Sequence, residues 1–327
     1  MSNVVRSALF CLLLIGSLVP MTVQAQDRAV RIAGVVSEER IAPLIAVIES
    51  RVPGSQLSYV RLSSAQIAAE AKRAPAPFDI ALFSSPDIAV SVANEGYAVK
   101  TEPSGNAMDV QWRHEVFGLW SDPAVIVLRR EAFPDRLPRT RIELVRALEQ
   151  NTSRFSHRVG IVNIGIDDVS YLLASQDSIR TSLYWRLMRA VGSSNARIYD
   201  TTEDLLAAFR AGEVDASYNV PLSALQAAPP MPENVEIVVP QDYMLAVPWT
   251  VLIPKNAVNL RGARIVLHAL HSVESAPALS AAGFSYPTDF KAAESLQLIE
   301  LGPQLLVFRD VIKRSKFLDT WFQMVVN

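Results

Sequence analysis

The sequence predicts an α/β fold made of two units. Short apolar strand patterns alternate with amphipathic helical patterns, an order typical of mostly parallel sheets covered by helices on both faces. This alternation runs through residues 30–94 and starts again near residue 123. The chain has 327 residues, half of them apolar and a fifth charged, which is enough for about two globular domains.

The N-terminal segment has the pattern of a secretory signal peptide. Residues 1–25 carry a single charge, Arg6, followed by an apolar run that ends at Pro20. Ala25 closes a small-x-small cleavage pattern, so we predict cleavage after Ala25 and export to the periplasm. A membrane anchor is the less favoured alternative, because the apolar run is too short to span a bilayer comfortably.

Three strand–helix pairs follow the signal segment. The strands are predicted at residues 30–34, 56–60 and 78–83, and the helices at 37–51, 64–73 and from Pro86 onward. Ser37 is a candidate N-cap of the first helix, and Pro86 stands in the first turn of the third, where proline is tolerated. The first and third strands are therefore each predicted to end in a short turn that leads into a helix.

The rest of the chain continues the alternation. Strands are predicted at residues 124–128, 158–162, 196–199, 216–220, 236–239 and 250–253, and helices at 140–149, 169–174, 178–191, 202–211, 261–270 and 305–326. Residues 226–233 contain three prolines, which predicts a surface loop.

Composition excludes several classes of function. Cys11 is the only cysteine and lies in the predicted signal peptide, so the mature chain has no thiol nucleophile and no disulfide. Four histidines and no other cysteine make a Cys/His zinc site unexpected. A net charge of -2 does not favour nucleic-acid binding. The sequence contains no nucleophile elbow, zinc-protease motif or Walker loop, so we predict no enzyme activity, no metal and no cofactor.

Six segments in the correct order resemble the two-lobed (type 2) periplasmic solute-binding proteins. The resemblance spans residues 30–321 and is to the extracellular family that includes ferric-iron-type ABC transporter binding proteins and a subgroup associated with two-component sensors. The segments are RIAG at 31–34 with 41–44, FSSPD at 83–87 with NEGYA at 94–98, YLLASQD at 171–177 with YWRL at 184–187, YNV at 218–220, PQDY at 240–243, and LGP at 301–303 with 305–321.

The resemblance implies two Rossmann-like lobes joined by two hinge crossings. Residues 26–122 with 248–327 would form the first lobe and residues 123–247 the inserted second lobe, with crossings near 120–124 and 245–251. It also implies a monomer that captures a small polar solute between the lobes for an ABC permease in the inner membrane. Two alternatives stay open: an accessory that presents its ligand state to a sensor kinase, and a member that has lost ligand binding.

Two strand-to-helix turns supply the first candidate ligand contacts. Val36 and Ser37 follow the first strand, and Ser84 and Ser85 follow the third. The free amides and positive dipole end of a helix N-terminus suit an anion. Ser37 can instead cap its own helix, whereas both serines of the other turn match the family, which favours ligand contact there.

The third turn departs from the family pattern. Where the family has Ser-Gly-Val-Gly-Tyr, this chain has Asp167, Asp168, Val169, Ser170 and Tyr171. Two aspartates would repel an anion and fill the helix caps themselves. They indicate a solvated helix cap, a changed ligand such as an amine or a metal cation, or no ligand at all.

The resemblance adds candidates from the second lobe and the crossings. These are Tyr218, Asn219, Asp242, Tyr243 and Trp120. Ferric-iron members use clustered tyrosines as ligands, but the expected second tyrosine corresponds here to Ala224, so ferric iron is disfavoured. Trp120 and Trp249 lie at the two crossings, where they could stack on a ligand, close the hinge or belong to the core.

Acidic residues stand at three helix starts of the expected cleft. They are Glu38 with Glu39, Asp87, and Asp167 with Asp168, and the nearest basic residue is Arg40. Each carboxylate cancels part of the attraction that a helix N-terminus has for anions. We therefore expect weak or absent binding of phosphate and sulfate, and prefer a small polar organic ligand, with or without an amine.

Overall fold

The computed structural model describes residues 29–52, 56–103, 110–272, 277 and 295–326; the predicted signal peptide lies outside them. The strands are β1 (Val30–Gly34), β2 (Leu57–Arg61), β3 (Ile80–Phe83), β4 (Gln111–Trp112), β5 (Val116–Arg129), β6 (Gly160–Val162), β7 (Arg197–Tyr199), β8 (Ala216–Pro221), β9 (Val235–Val238), β10 (Met244–Leu252) and β11 (Leu296–Leu298). The helices are α1 (Glu38–Arg51), α2 (Ser64–Glu70), α3 (Pro86–Asn94), α4 (Arg141–Gln150), α5 (Thr152–Phe155), α6 (Asp168–Arg180), α7 (Leu183–Ser193), α8 (Thr202–Arg210), α9 (Leu222–Ala227), α10 (Leu260–Leu270) and α11 (Val311–Val325), with 3-10 helices at Arg130–Ala132 and Pro303–Arg309.

The N-terminal half of the sheet has helices on both faces. Strands β2, β1 and β3 pair in parallel in that order, and β3 then pairs antiparallel with β10. Helix α1 buries Ile41, Leu44 and Ile48 in one apolar cluster with residues of α10. Helices α2 and α3 contribute to a second cluster with β3. The predicted α/β class is confirmed.

Two long buried strands, β5 and β10, connect the two halves of the molecule. They pair antiparallel from Ala246 opposite Pro123 to Val251 opposite Phe117. The strands predicted at residues 124–128 and 250–253 are only the ends of these strands, since Pro123 and Pro248 lie inside them. Strand β5 pairs antiparallel with β10, β8 and β9, and β10 pairs antiparallel with β3 but in parallel with β11, so the sheet is mixed rather than mostly parallel.

A second set of strands extends from the far end of β5. Strands β8 and β9 pair antiparallel with β5, and β6 pairs in parallel with β7. A parallel bridge from Val159 to Ala216 links the β6 side to β8. Helices α4 and α7 pack on one side with Leu144 and Leu187, while α8 packs on the other with Phe209.

Two predicted helices differ from the structure. Residues 178–191 are not one helix, because α6 ends at Arg180 and α7 begins at Leu183, with Thr181 in extended conformation between them. The predicted helix over residues 305–326 is a 3-10 helix followed by α11, which starts where the Asp310 carboxylate accepts a hydrogen bond from the Lys313 amide at 3.0 Å. The amphipathic spacing continues across both breaks, so spacing alone does not reveal them.

The C-terminal helix α11 packs against α7. Phe317, Trp321 and Val325 belong to the same apolar cluster as Leu187. A Cβ at Gly192 would overlap the carbonyl oxygen of Met324, so the two helix backbones approach closely at this glycine. Among the described residues, no helix is both long and apolar enough to cross a membrane.

Candidate functional site

A cavity of ≈ 570 Å³ lies beside the two long strands, between the turns of the N-terminal sheet and the second set of elements. Its lining residues are Val35, Val36, Ser37, Arg40, Arg61 and Ser84 from the N-terminal part, Asp122 and Trp249 from β5 and β10, and Asp167, Val169, Thr202, Glu203, Arg210, Pro221, Ser223, Ala224, Ala227, Ala228 and Pro229 from the rest. This volume falls in the usual range of small-molecule sites.

Four of the predicted site residues line this cavity: Val36, Ser37, Ser84 and Asp167. The carbonyl of Val36 accepts a hydrogen bond from the Tyr59 hydroxyl at 2.7 Å, which fixes the turn after β1. Ser37 occupies the N-cap position of α1, but its side chain makes no capping hydrogen bond. The predicted N-cap position of Ser37 is therefore confirmed, while its hydroxyl is not used to cap the helix.

Asp167 both caps α6 and lines the cavity. Its Oδ1 accepts a hydrogen bond from the Ser170 amide at 2.6 Å, as the capping interpretation predicts. Burial raises the pKa of the Asp167 carboxyl, and the negative charge of Glu203 adds to that effect. Glu203 stands in the first turn of α8, so two carboxylates meet on one side of the cavity.

Ser85 and Asp168 lie beside the cavity and contact each other. Ser85 is fully buried; its Oγ donates to Asp87 Oδ1 at 2.6 Å and lies 3.3 Å from the carbonyl oxygen of Asp168. Arg309 completes the group, with Nη1 3.0 Å from Asp87 Oδ2. These residues join the start of α3 to the start of α6 without lining the cavity.

Tyr218 and Tyr243 point to a buried carboxylate rather than to the cavity. Both hydroxyls donate to Asp177, which is completely buried. Burial and the charge of Asp177 raise the pKa of Tyr218 well above its ordinary value. A phenolate ligand for ferric iron is correspondingly disfavoured.

Arg141 completes this buried network. Its guanidinium lies 3.4 Å from the centroid of the Tyr243 ring, and its Nη1 donates to Asp242 Oδ1 at 3.0 Å and to the Tyr243 carbonyl at 2.6 Å. Asn219, in the left-handed region at φ 57°, approaches Asp177 with its Nδ2 at 3.4 Å. Asp242 and Asn219 therefore serve the same network, away from the cavity.

The remaining predicted residues are packed into the interior. Ser170, with Tyr218 and Asn219, borders a separate cavity of only ≈ 20 Å³. The Tyr171 hydroxyl donates to the carbonyl of Phe308 at 2.6 Å. Trp120 is fully buried and stacks on Trp249 at 5.2 Å between ring centroids, so Trp249 rather than Trp120 reaches the cavity.

The sequence reasoning missed Arg61, Arg210 and Glu203, and it named Arg40 only as the basic residue nearest the acidic helix starts. Arg61 ends β2, and the position at the carboxyl end of a strand was a usable signal. Arg40 lies in the first turns of α1, close to Ser37. Arg210 lies at the end of α8, and nothing in the sequence indicates that the end of this helix borders a cleft. The three arginines share the cavity with the acidic residues, so the acidic helix starts do not decide the charge of the ligand alone.

Asp122 is the cavity carboxylate with the most complete internal bonding. Its Oδ1 accepts from the Ser223 amide at 2.9 Å, and its Oδ2 accepts from the Ser223 hydroxyl and from Trp249 Nε1 at 3.3 Å. Burial raises the pKa of Asp122. This carboxyl therefore holds β5, β10 and the start of α9 together at the cavity wall.

The family model of bacterial extracellular solute-binding proteins matches residues 38–285 of this chain. The chain belongs to this family. Its members bind solutes and are not enzymes, which confirms the prediction of no enzyme activity. A family that acts outside the cytoplasm agrees with the predicted periplasmic location, while cleavage after Ala25 stays a prediction.

Solved structures of solute-binding proteins share the fold. The substrate-binding protein of an ABC transporter from Agrobacterium tumefaciens is 22% identical, with a TM-score of 0.79 over 92% of this chain and 95% of that one. Iron-bound HitA from Pseudomonas aeruginosa is 15% identical, with a TM-score of 0.66 over 90% and 99%. AfuA from Actinobacillus pleuropneumoniae, solved with fructose-6-phosphate, is 13% identical, with a TM-score of 0.67 over 91% and 98%. No curated protein sequence matches the chain.

At these identities the likeness to solved structures shows the fold alone, and membership of a ferric-iron subgroup does not follow from it. Among the residues that the structure describes, no three His, Cys, Asp or Glu side chains are grouped so that they could hold a metal ion.

Proposed function

We propose that this protein captures a small polar solute in the 570 Å³ cavity and delivers it to an ABC-type importer in the inner membrane. The main observation behind this proposal is that residues from both sides of the β5–β10 pair line the cavity. Ser37, Ser84 and Asp167, from three different strand-to-helix turns, are among them. Solutes of α/β proteins bind where strand-to-helix turns meet, and two-part clefts can close on them.

The proposal divides the chain into two lobes. Residues 26–122 with 248–327 form the first lobe, except for α11 (Val311–Val325), and residues 123–247 form the second, with β5 and β10 as the crossings between them. Helix α11 follows the second crossing in sequence but packs on α7, so we assign it by packing to the second lobe. We propose a monomer, in which closure of these lobes over the solute is what the membrane partner recognises.

A thermal-shift screen of the mature protein against sugars, amino acids, organic acids, polyamines and inorganic anions tests solute capture. A compound at about 100 times its dissociation constant adds about 2.7 kcal/mol of stability, which is easily measured. Stabilisation by at least one class is expected. If no class stabilises the protein, and denaturing it releases no bound small molecule, the alternative of a member without ligand binding is favoured.

Export has a separate test. Fractionation of cells followed by intact mass measurement should find the protein in the periplasm with Gln26 as its first residue, because Ala25 closes the cleavage pattern. An intact Met1 on a cytoplasmic protein would contradict the proposal. Permease and ATPase genes beside its gene favour transport, whereas a kinase–regulator pair favours the sensor alternative.

A further inference from the structure

Charged groups of both signs line the cavity. Two carboxylates, Asp167 and Glu203, come from the starts of α6 and α8. The cations are Arg40 and Arg61 from the N-terminal part and Arg210 from the end of α8. Asp122 is bonded to Ser223 and Trp249, so it is less available to a ligand than the other two carboxylates. The cavity therefore offers an acidic side and basic groups to one solute.

Arg210 is one of the cavity cations, and its bonding is incomplete. It lines the cavity, and its Nη1 is buried yet makes no hydrogen bond to any residue that the structure describes. A buried guanidinium nitrogen without an acceptor costs free energy, and a carboxylate is the acceptor whose planar geometry matches the guanidinium best. Arg210 is thus well suited to receive the acidic group of a solute.

Asp167 and Glu203 form a pair of carboxylates that suits the cationic group of a solute. Two carboxylates that face one cavity repel each other, and a cation between them relieves that repulsion. The raised pKa of Asp167, caused by burial and secondarily by Glu203, is consistent with this arrangement. An ammonium group has three donors and suits a site lined by carboxylate oxygens.

We propose that the solute is a zwitterion of the amino-acid class, with its carboxylate on Arg210 and its ammonium group on Asp167 and Glu203. The carbon chain of such a solute would lie against the apolar wall of Ala224, Ala227 and Pro229. Arg40 and Arg61 add positive charge from the N-terminal part of the cavity, so a bound carboxylate is attracted from both sides. The inference rests on the proposed function of this cavity and adds the class of solute.

The test measures the dissociation constants of matched sets of compounds, with the exported protein purified from cells. The zwitterionic probes are the proteinogenic L-amino acids, 4-aminobutyrate and 5-aminopentanoate. Each probe that binds is compared with its analogue lacking the amino group and its analogue lacking the carboxyl group, and glucose and inorganic phosphate are the remaining probes. The variants are Arg210→Gln and Glu203→Gln, with Arg186→Gln as the control because Arg186 pairs with Glu149 on the surface outside the cavity.

We expect at least one zwitterion to bind, and each singly charged analogue to bind about ten- to a hundredfold more weakly, because each loses one charge-assisted contact. Arg210→Gln should weaken the zwitterion by a similar factor yet leave the analogue without a carboxyl group unchanged. Glu203→Gln should also weaken binding of the zwitterion, but it should leave binding of the analogue without an amino group unchanged. Arg186→Gln should change the affinity of none of these compounds. Arg210→Lys, which keeps the charge, should restore part of the loss.

Three results would overturn the inference while the proposed function stands. The first is that glucose, phosphate or a singly charged compound binds more tightly than every zwitterion. The second is that Arg210→Gln leaves the affinity for the zwitterion unchanged, and the third is that Glu203→Gln does so. Binding of no probe at all, with no small molecule released on denaturation, would overturn the proposed function together with this inference.

Discussion

Asp122 links the hinge to the site through a single carboxyl group. It lies on β5, accepts hydrogen bonds from Ser223 at the start of α9, and accepts another from Trp249 on β10. A change in the angle between the two long strands would strain these bonds. The position of α9 is therefore tied to the geometry of β5 and β10, which would be a physical route from solute contact to the proposed closure of the lobes.

Arg141 and Asp177 form a buried ion pair of a different kind. Arg141 is 1% exposed and Asp177 is not exposed at all, and Nε of Arg141 lies 3.4 Å from Asp177 Oδ1. Tyrosine hydroxyls of β8 and of the turn before β10 supply further hydrogen bonds to the carboxylate. Breaking one partner of such a group is costly, because the other charge stays buried without compensation.

Arg141→Met should destabilise the protein by about 3–5 kcal/mol, since it keeps the side-chain length but leaves Asp177 without its cation. Urea unfolding of the purified protein measures the change. The control is Arg136→Met, which removes an exposed pair with Glu143 and should cost no more than about 1 kcal/mol. Equal effects of the two substitutions would mean that the buried pair is not a stability determinant.

Part of the site could be predicted from the sequence. Val36, Ser37, Ser84 and Asp167 line the cavity because the strand-to-helix turns of an α/β fold meet at one edge, and those turns are legible in the hydrophobic pattern. Arg210 and Glu203 could not be found this way. They reach the cavity only through the packing of α8, which depends on contacts between residues distant in sequence.

At the scale of elements, the strand and helix order was predictable, but the crossing strands were not. Val116 to Leu128 is buried without interruption, so no alternation of polar and apolar residues marks its length. Pro123 and Pro248 look like strand ends in the sequence. They are tolerated inside β5 and β10, where the register of the pair runs through both.

The contact between α7 and α11 could not be predicted from the hydrophobic pattern of the sequence either, because it depends on how the two helices pack. Gly192 is the position where a side chain would meet the α11 backbone at Met324. Backbone cannot move aside as a flexible side chain can, so an added methyl group must push the helices apart. The two helices bury Trp321 and Phe317 between them and their neighbours, and this burial would be partly lost.

Gly192→Ala should therefore destabilise the protein by about 1–3 kcal/mol, although alanine favours helix formation at that site. Thermal unfolding measures the effect, and protection of the α11 amides from hydrogen exchange should fall with it. The neighbouring exposed position supplies the control, since Ser193→Ala changes α7 without approaching α11. An unchanged melting temperature for Gly192→Ala would contradict the close approach of the two helices.

At the scale of the whole molecule, the contact between the starts of α3 and α6 is one of those that join the two proposed lobes away from the cavity. Asp87 at the start of α3 is 3% exposed and pairs with Arg309, while Ser85 contacts the carbonyl of Asp168 at the start of α6. Burial raises the pKa of Asp168, the charge of Asp87 adds to that, and Arg309 opposes it. Arg309 thus screens two carboxylates that would otherwise repel each other across the contact.

Arg309→Gln should shift the unliganded protein toward separated lobes and weaken solute binding, because a smaller fraction of molecules is then closed and the apparent dissociation constant rises by the same factor. Distances between spin labels at Ala42→Cys and Ala207→Cys, exposed positions on α1 and α8, should lengthen. Labelling is specific because Cys11 is the only native cysteine and lies in the predicted signal peptide.

Two further variants serve as controls. Lys316→Gln makes the same change of charge at an exposed site on α11 and should leave the distances as in the wild type, while Arg309→Lys should restore them in part. If Arg309→Gln and Lys316→Gln give the same distance distribution, the contact does not bias closure, and the β5–β10 pair with its Asp122 bonds must set the balance alone.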